Sequence, residues 1–241
     1  MRSSINFFTM NTLDLDENMF VQRLFKYFYK NRPLRPRYNT FWPVSKLLDV
    51  LKTWFPIETL DLRSLTLKVI ALIALTSSDR GQTLHLISVK DMVISNDKIE
   101  FVIKKPTKTT RRILKPIVVT CVSSPTQEEL DVANHVKVYL EKTKPYRTSH
   151  DNFFISWKTF KPVTKQSLAR WLTLVLKIAK IDTSIFTAHS FRGAGLSKAL
   201  SKGAPISQIV SSGNWSNVST FLNYYNAPSY DSEIGNIILN D

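Results

Sequence analysis

The sequence predicts an α+β protein, mostly helical, with one small three-stranded antiparallel sheet. Three observations carry this. Apolar residues recur at three- and four-residue spacing over long stretches of the 241-residue chain. Two short β-prone runs, Met92–Ser95 and Ile99–Ile103, flank "NDK", a hairpin signal, and a third, Ile113–Val119, follows a polar turn. The last fifth reads as successive helices: His189–Ser201, Pro205–Ser211 with proline in its first turn, and Asn217–Tyr225.

Taken in order, Phe20–Tyr29 is aromatic-rich and fits one short helix. "KNRPLRPRY", Lys30–Tyr38, breaks it with prolines and carries only positive charge, so it reads as an exposed basic linker. The spacing places a boundary near Asn39, dividing the chain into 1–38 and 39–241. "PVSKLLDVLKTWF", from Pro43, is helical in period. Asp61 is placed to cap "LRSLTLKVIALIALTSS", almost continuously apolar and therefore a buried central helix. Gln127–Lys142 sets Leu130, Ala133, Val136 and Leu140 on one face, and Thr164 caps a further helix to Ala179. "NFFISW" between them is a short buried or extended segment.

Composition narrows the function. Hydrophobic residues make up 43%, too many for a disordered chain. A net charge of +14 points to a polyanion, most commonly nucleic acid. A membrane surface fits less well, because no long basic amphipathic helix stands out. One cysteine, Cys121, excludes an internal disulfide and a cysteine-rich zinc site; it reads as packed near a strand end. The longest apolar run, Val69–Leu75, is far short of the ~20 residues a bilayer span needs, and the chain reads as soluble and intracellular.

Four places carry potential chemistry. Arg80 follows the buried helix, where it suits an anion or a salt bridge to Asp79. Lys108 lies in "PTKTTRR", the turn between the last two strands. Lys104, Lys105, Arg111, Arg112 and Lys115 surround it without an acidic residue, forming a solvated basic turn or a grip on a phosphate backbone. His189 and Arg192 stand three apart at a helix start, so they share a face. Arginine there offers a phosphate two parallel hydrogen bonds, and histidine a movable proton. Trp215, Tyr224 and Tyr225 end the series as an aromatic core cluster or as the source of a phenolic nucleophile. Val218, Phe221, Leu222 and Tyr225 form one apolar stripe.

Arginine after a buried helix, lysine in a hairpin turn, H-x-x-R opening a helix, then tryptophan and tyrosine near the C-terminus: this order resembles the tyrosine recombinase (integrase) catalytic domain over about Pro43–Pro228. The strings "DRGQTLHL", "KTTR", "AKIDTSIFTAHSFR" and "NWSNVSTFLNYYNAP" are similar to boxes of the recombinases of eukaryotic mobile elements, DIRS-like and Crypton-like. The resemblance implies that Arg80 and Arg192 hold the scissile phosphate and that His189 contacts it and assists proton transfer. Lys108, with Lys105 as alternate, would be the general acid for the departing 5′-hydroxyl. Trp215 would donate its indole N–H to a phosphate oxygen. A tyrosine would form a 3′-phosphotyrosyl bond, with no metal, cofactor or ATP. Phage and bacterial relatives place that tyrosine nine residues after the tryptophan position, at Tyr224. The mobile-element pattern W-S-x-x-x-T-F-x-x-F-Y-N-x-P places it at Tyr225, the preferred reading.

The implied partner is double-stranded DNA, gripped also by Lys104, Lys105, Arg111, Arg112, Arg35 and Arg37, with self-association on paired sites and a nuclear location. Family members carry a helical N-terminal clamp, of which 1–38 resembles only the last helix and linker. The competing expectation is therefore a DNA-binding module without catalysis. A type IB topoisomerase shares much of the chemistry but matches these strings less well.

Overall fold

Asp61 starts the helix around which the protein is built. Its carboxylate accepts the Ser64 N–H at 2.9 Å, which satisfies one of the free donors at a helix start. In this computed structural model, residues 18–32, 37–105, 116–147, 149–213, 215, 218–219 and 221 are described. The chain divides into two compact units, Met1–Arg37 and Tyr38–Asp241.

In the first unit, α1 spans Met19–Asn31 and is capped by Asn18, whose side chain accepts the Phe20 and Val21 N–H groups. It is three residues longer than its aromatic run suggests. None of its residues is buried.

In the second unit, α2 (Val44–Thr53) precedes the central α3 (Leu62–Thr76). Every residue of α3 from Leu65 to Leu75 is buried, including Lys68. Lys68 donates its ammonium to the Trp54 carbonyl at 2.5 Å, and burial pulls its pKa down to about 8. Its aliphatic stem is what allows a lysine in so apolar a helix.

A short α4, Gly81–His85, follows and was not expected. The sheet is β1 (Met92–Ile94), β2 (Lys98–Ile103) and β3 (Ile117–Val122), antiparallel in that order. Phe101 faces Val119 across the ladder. The two-residue alternation turns Ile99, Phe101, Ile103, Val119 and Cys121 inward. Phe101 there meets Phe153 of the "NFFISW" segment at 5.0 Å. Among the described residues the third strand runs from Ile117, directly after Pro116; the start expected at Ile113 lies outside the described residues. Proline has no N–H for a ladder and belongs just before a strand or at its first residue. Cys121 is fully buried, its thiol pushed up to about 12, so it is inert at neutral pH.

The expected helix at Gln127 starts later. Pro125–Leu130 forms 3-10 turns, and α5 runs Val132–Thr143. Asp131 sets that start by accepting the Asn134 N–H at 2.9 Å. Thr164 caps α6, Lys165–Ile178, through the Ser167 N–H as expected. Then come α7 (Ser190–Ser201) and α8 (Ile206–Ser212). Among the described residues, no helix is long and apolar enough to cross a membrane.

Two glycines let α7 approach its neighbours. A Cβ on Gly195 would lie 2.4 Å from the Leu75 carbonyl oxygen of α3. A Cβ on Gly193 would lie 2.0 Å from the Phe41 ring. Alanine is the better helix former by ~1 kcal/mol, yet Gly195→Ala is expected to destabilise by about 1–3 kcal/mol, because backbone must move to admit the methyl group. Thermal or urea unfolding measures this; a stabilised variant would show that the helices are not in contact there.

Candidate active site

The site is built where α3 ends. Ser78 takes a left-handed conformation, φ 55°, at the turn that follows. A non-glycine residue there costs roughly 1–2 kcal/mol, a local strain of the kind that collects at functional turns. Asp79, directly after this turn, is buried, 9% exposed. Arg80 occupies the residue before α4 and is half-buried. Burial raises the Asp79 pKa to about 6; the Arg192 charge, the Ser77 hydroxyl and the Arg80 charge, in that order, hold it from rising further. The charges of two arginines more than a hundred residues apart in sequence thus both act on one buried carboxylate. The Arg80 charge acts on Asp79 less strongly than that of Arg192.

Arg192 is 3% exposed. Its Nη2 donates to the Gly213 carbonyl, and its guanidinium lies 4.1 Å from the centre of the Trp215 ring. Such stacking holds a cation at a fixed height over the indole face. A Cβ on Gly213 would lie 2.1 Å from that ring, so this glycine makes room for it. Trp215 packs in turn on Phe221 at 5.4 Å, and Phe221 is fully buried with Leu196 and Ile209. The apolar stripe predicted for this stretch holds at Phe221 but not at Val218, which is 43% exposed. Its other members, Leu222 and Tyr225, lie outside the described residues.

His189 stands at the residue before α7, exposed, and makes no side-chain capping bond. Its separation of three from Arg192 puts both at the same helix end. Of the residues singled out in the sequence, the structure brings Arg192 against the ring of Trp215, a use of the indole not foreseen. Asp79 was weighed only as a partner for Arg80. The sequence carried one hint of its importance, a lone acidic residue closing so apolar a helix.

Lys104 and Lys105 are exposed and border a cleft of about 300 Å³ with Lys90, His85 and His150. Lys104 is ion-paired with Asp91 at 2.5 Å. Arg37 is exposed. Lys108, Arg111, Arg112, Arg35, Tyr224 and Tyr225 lie outside the described residues. Among the described residues, no group of three or more His, Cys, Asp or Glu is arranged to hold a metal ion.

The arrangement suits a phosphate. Two guanidiniums offer paired N–H donors to its free oxygens and remain fixed as negative charge grows on phosphorus. The buried Asp79 carboxylate, on which both charges act, offsets like-charge repulsion between the arginines.

The fold, with its small sheet and its H-x-x-R helix packed on the central helix, is that of the tyrosine-recombinase catalytic core. The chain belongs to the phage integrase family, whose model matches residues 42–231. Among solved structures it is similar to the XerH site-specific recombinase bound to palindromic difH substrate, in a post-cleavage complex. The identity is 15% and the TM-score 0.63, covering 84% of this chain and 54% of that one. It is also similar to the XerA recombinase, at 16% identity and a TM-score of 0.60, covering 86% of this chain and 64% of that one. The Tn1549 transposon integrase in complex with transposon right end DNA matches at 14% identity and a TM-score of 0.58, covering 86% and 67%. The chain thus spans 54–64% of the length of the two recombinases. No curated protein matched the chain in sequence comparison.

Proposed function

We propose that this chain breaks and rejoins double-stranded DNA through a 3′-phosphotyrosyl intermediate. The observation that carries the reading is the family match over residues 42–231, with His189 opening the helix of the buried Arg192 and the charges of Arg192 and Arg80 both acting on Asp79. In the reaction, the phenolic oxygen of Tyr225 attacks phosphorus. A Tyr–O–P bond forms and the P–O5′ bond breaks. The phenol's proton leaves with help from His189, and the departing 5′-oxygen takes a proton from Lys108. Arg80 and Arg192 carry the charge on the non-bridging oxygens. One phosphodiester is exchanged for another of similar energy, so the strand reseals without ATP. No step calls for a metal, because the cationic side chains stabilise the transition state.

The net charge of +14 and the basic residues Lys104, Lys105 and Arg37 support DNA as the partner. The DNA-bound states of the XerH recombinase and the Tn1549 integrase support it further. The strings quoted above support descent from a eukaryotic mobile element, hence a nuclear location and assembly on paired sites. A DNA duplex nicked just 3′ of the cleavage site traps the covalent intermediate. The wild-type chain is expected to form a protein–DNA adduct on it. Tyr225→Phe abolishes the adduct and Tyr224→Phe retains it; the opposite pattern moves the nucleophile to Tyr224. Salt-dependent binding with no adduct under any condition would leave a DNA-binding module instead.

A further inference from the structure

We propose that Tyr38 and Trp42, in the strap that opens the second unit, are positioning residues for His189, an inference that rests on the recombinase reading for its catalytic consequence. His189 is exposed and stands at the residue before α7, so the turn that carries it sets where its imidazole starts. That turn is fixed from one side by the strap. Trp42, 4% exposed, donates its indole N–H to Ser190 Oγ at 2.7 Å. The Ser190 hydroxyl, completely buried, donates onward to the Thr187 carbonyl at 2.8 Å. The Tyr38 hydroxyl meets Thr187 Oγ1 at 2.9 Å, so Thr187 is held by both its backbone and its side chain.

Ring packing completes the arrangement. Tyr38 lies 5.6 Å from Phe186 and 6.4 Å from the His189 imidazole, at 32° to the latter. Trp42 meets Phe191 edge-on at 5.4 Å. Phe41 fills the space above Gly193, one residue past Arg192. Residues 186–193, which hold both candidate phosphate-binding groups of this helix, are therefore contacted by three strap aromatics, Tyr38, Phe41 and Trp42, all far from them in sequence. Buried hydrogen bonds from an indole and a phenol specify one geometry where apolar contact alone would allow several. A misplacement of ~1 Å at a reacting group costs up to about 10²-fold in rate.

The test uses the full chain with Tyr38→Phe, which removes only the hydroxyl, and Tyr38→Leu, which also removes the ring. Trp42→Phe removes the indole N–H, and Ser190→Ala, a milder change, removes the same bond should Trp42→Phe not fold. Three quantities are measured: DNA affinity, the single-turnover rate of adduct formation on the nicked duplex, and the NMR resonances of the His189 ring. Expected are unchanged affinity, adduct formation slowed about 10–100-fold, and a displaced His189 signal, with Tyr38→Phe milder than Tyr38→Leu. Variants with unchanged rate and an unmoved His189 signal overturn the proposal. Should the wild type form no adduct, the recombinase reading fails and the His189 signal decides alone: displaced, it supports positioning; unmoved, it refutes it.

Discussion

Arg192→Lys lowers the rate of covalent adduct formation about 10²–10³-fold, the loss seen when one fixed donor is withdrawn from a developing anion. The charge survives this substitution, so the loss is one of geometry. The Arg192 guanidinium makes three commitments at once. It donates to the Gly213 carbonyl, lies over the Trp215 ring at 4.1 Å, and its charge acts on the buried Asp79. A planar fork meets these and still has N–H groups to offer a phosphate; a lysine ammonium is a single point charge and does not. DNA affinity is expected to fall far less than the rate, because one phosphate contact among many is perturbed. Single-turnover adduct assays beside equilibrium binding separate the two. Adduct formation at the wild-type rate in Arg192→Lys would mean that Arg192 is a structural cation and the phosphate is held elsewhere.

The parts of the fold governed by local periodicity were legible in the sequence. The buried helix capped by Asp61, the helix capped by Thr164 and the β1–β2 hairpin all follow from spacing and capping chemistry. Errors fell where a competing local preference decided the outcome. Asp131 captured the helix start expected at Gln127. What the sequence could not show is long-range: that Trp42 reaches Ser190, that Gly195 meets Leu75, and that Arg192 reaches across to Asp79. A partial trace existed. Gly193 and Gly195 cost helix propensity at no visible gain, and local inconsistency of that kind marks a close approach. The candidate site residues were proposed from their order along the chain. The supporting groups, Asp79, Tyr38 and Trp42, carry no such order and emerged only with the fold.

Asp79→Asn is expected to remove a pH dependence of stability that the wild type shows between about pH 4 and pH 7. The Asp79 carboxyl has its pKa raised by burial from 3.8 to about 6. The folded state therefore favours the protonated form. Its contribution to stability is fully present below the ordinary carboxylate pKa and is lost as pH rises through 6. Two units correspond to about 3 kcal/mol at 1.36 kcal/mol each. Asparagine keeps the shape without the titration, so the difference in unfolding free energy between the two proteins should change by about that amount from pH 4 to pH 8. A parallel pair of pH–stability curves would show that Asp79 is ionised throughout. The same charge bears on the phosphate. Above pH 6 the carboxylate partly neutralises Arg192 and Arg80; an arriving phosphate competes with it and favours its protonation. DNA binding by the wild type should then take up a proton near pH 7, and Asp79→Asn should bind more tightly than the wild type at pH 8 while equalling it at pH 5. The carboxylate that makes the buried Arg192 tolerable is thus the group that yields when the substrate anion enters.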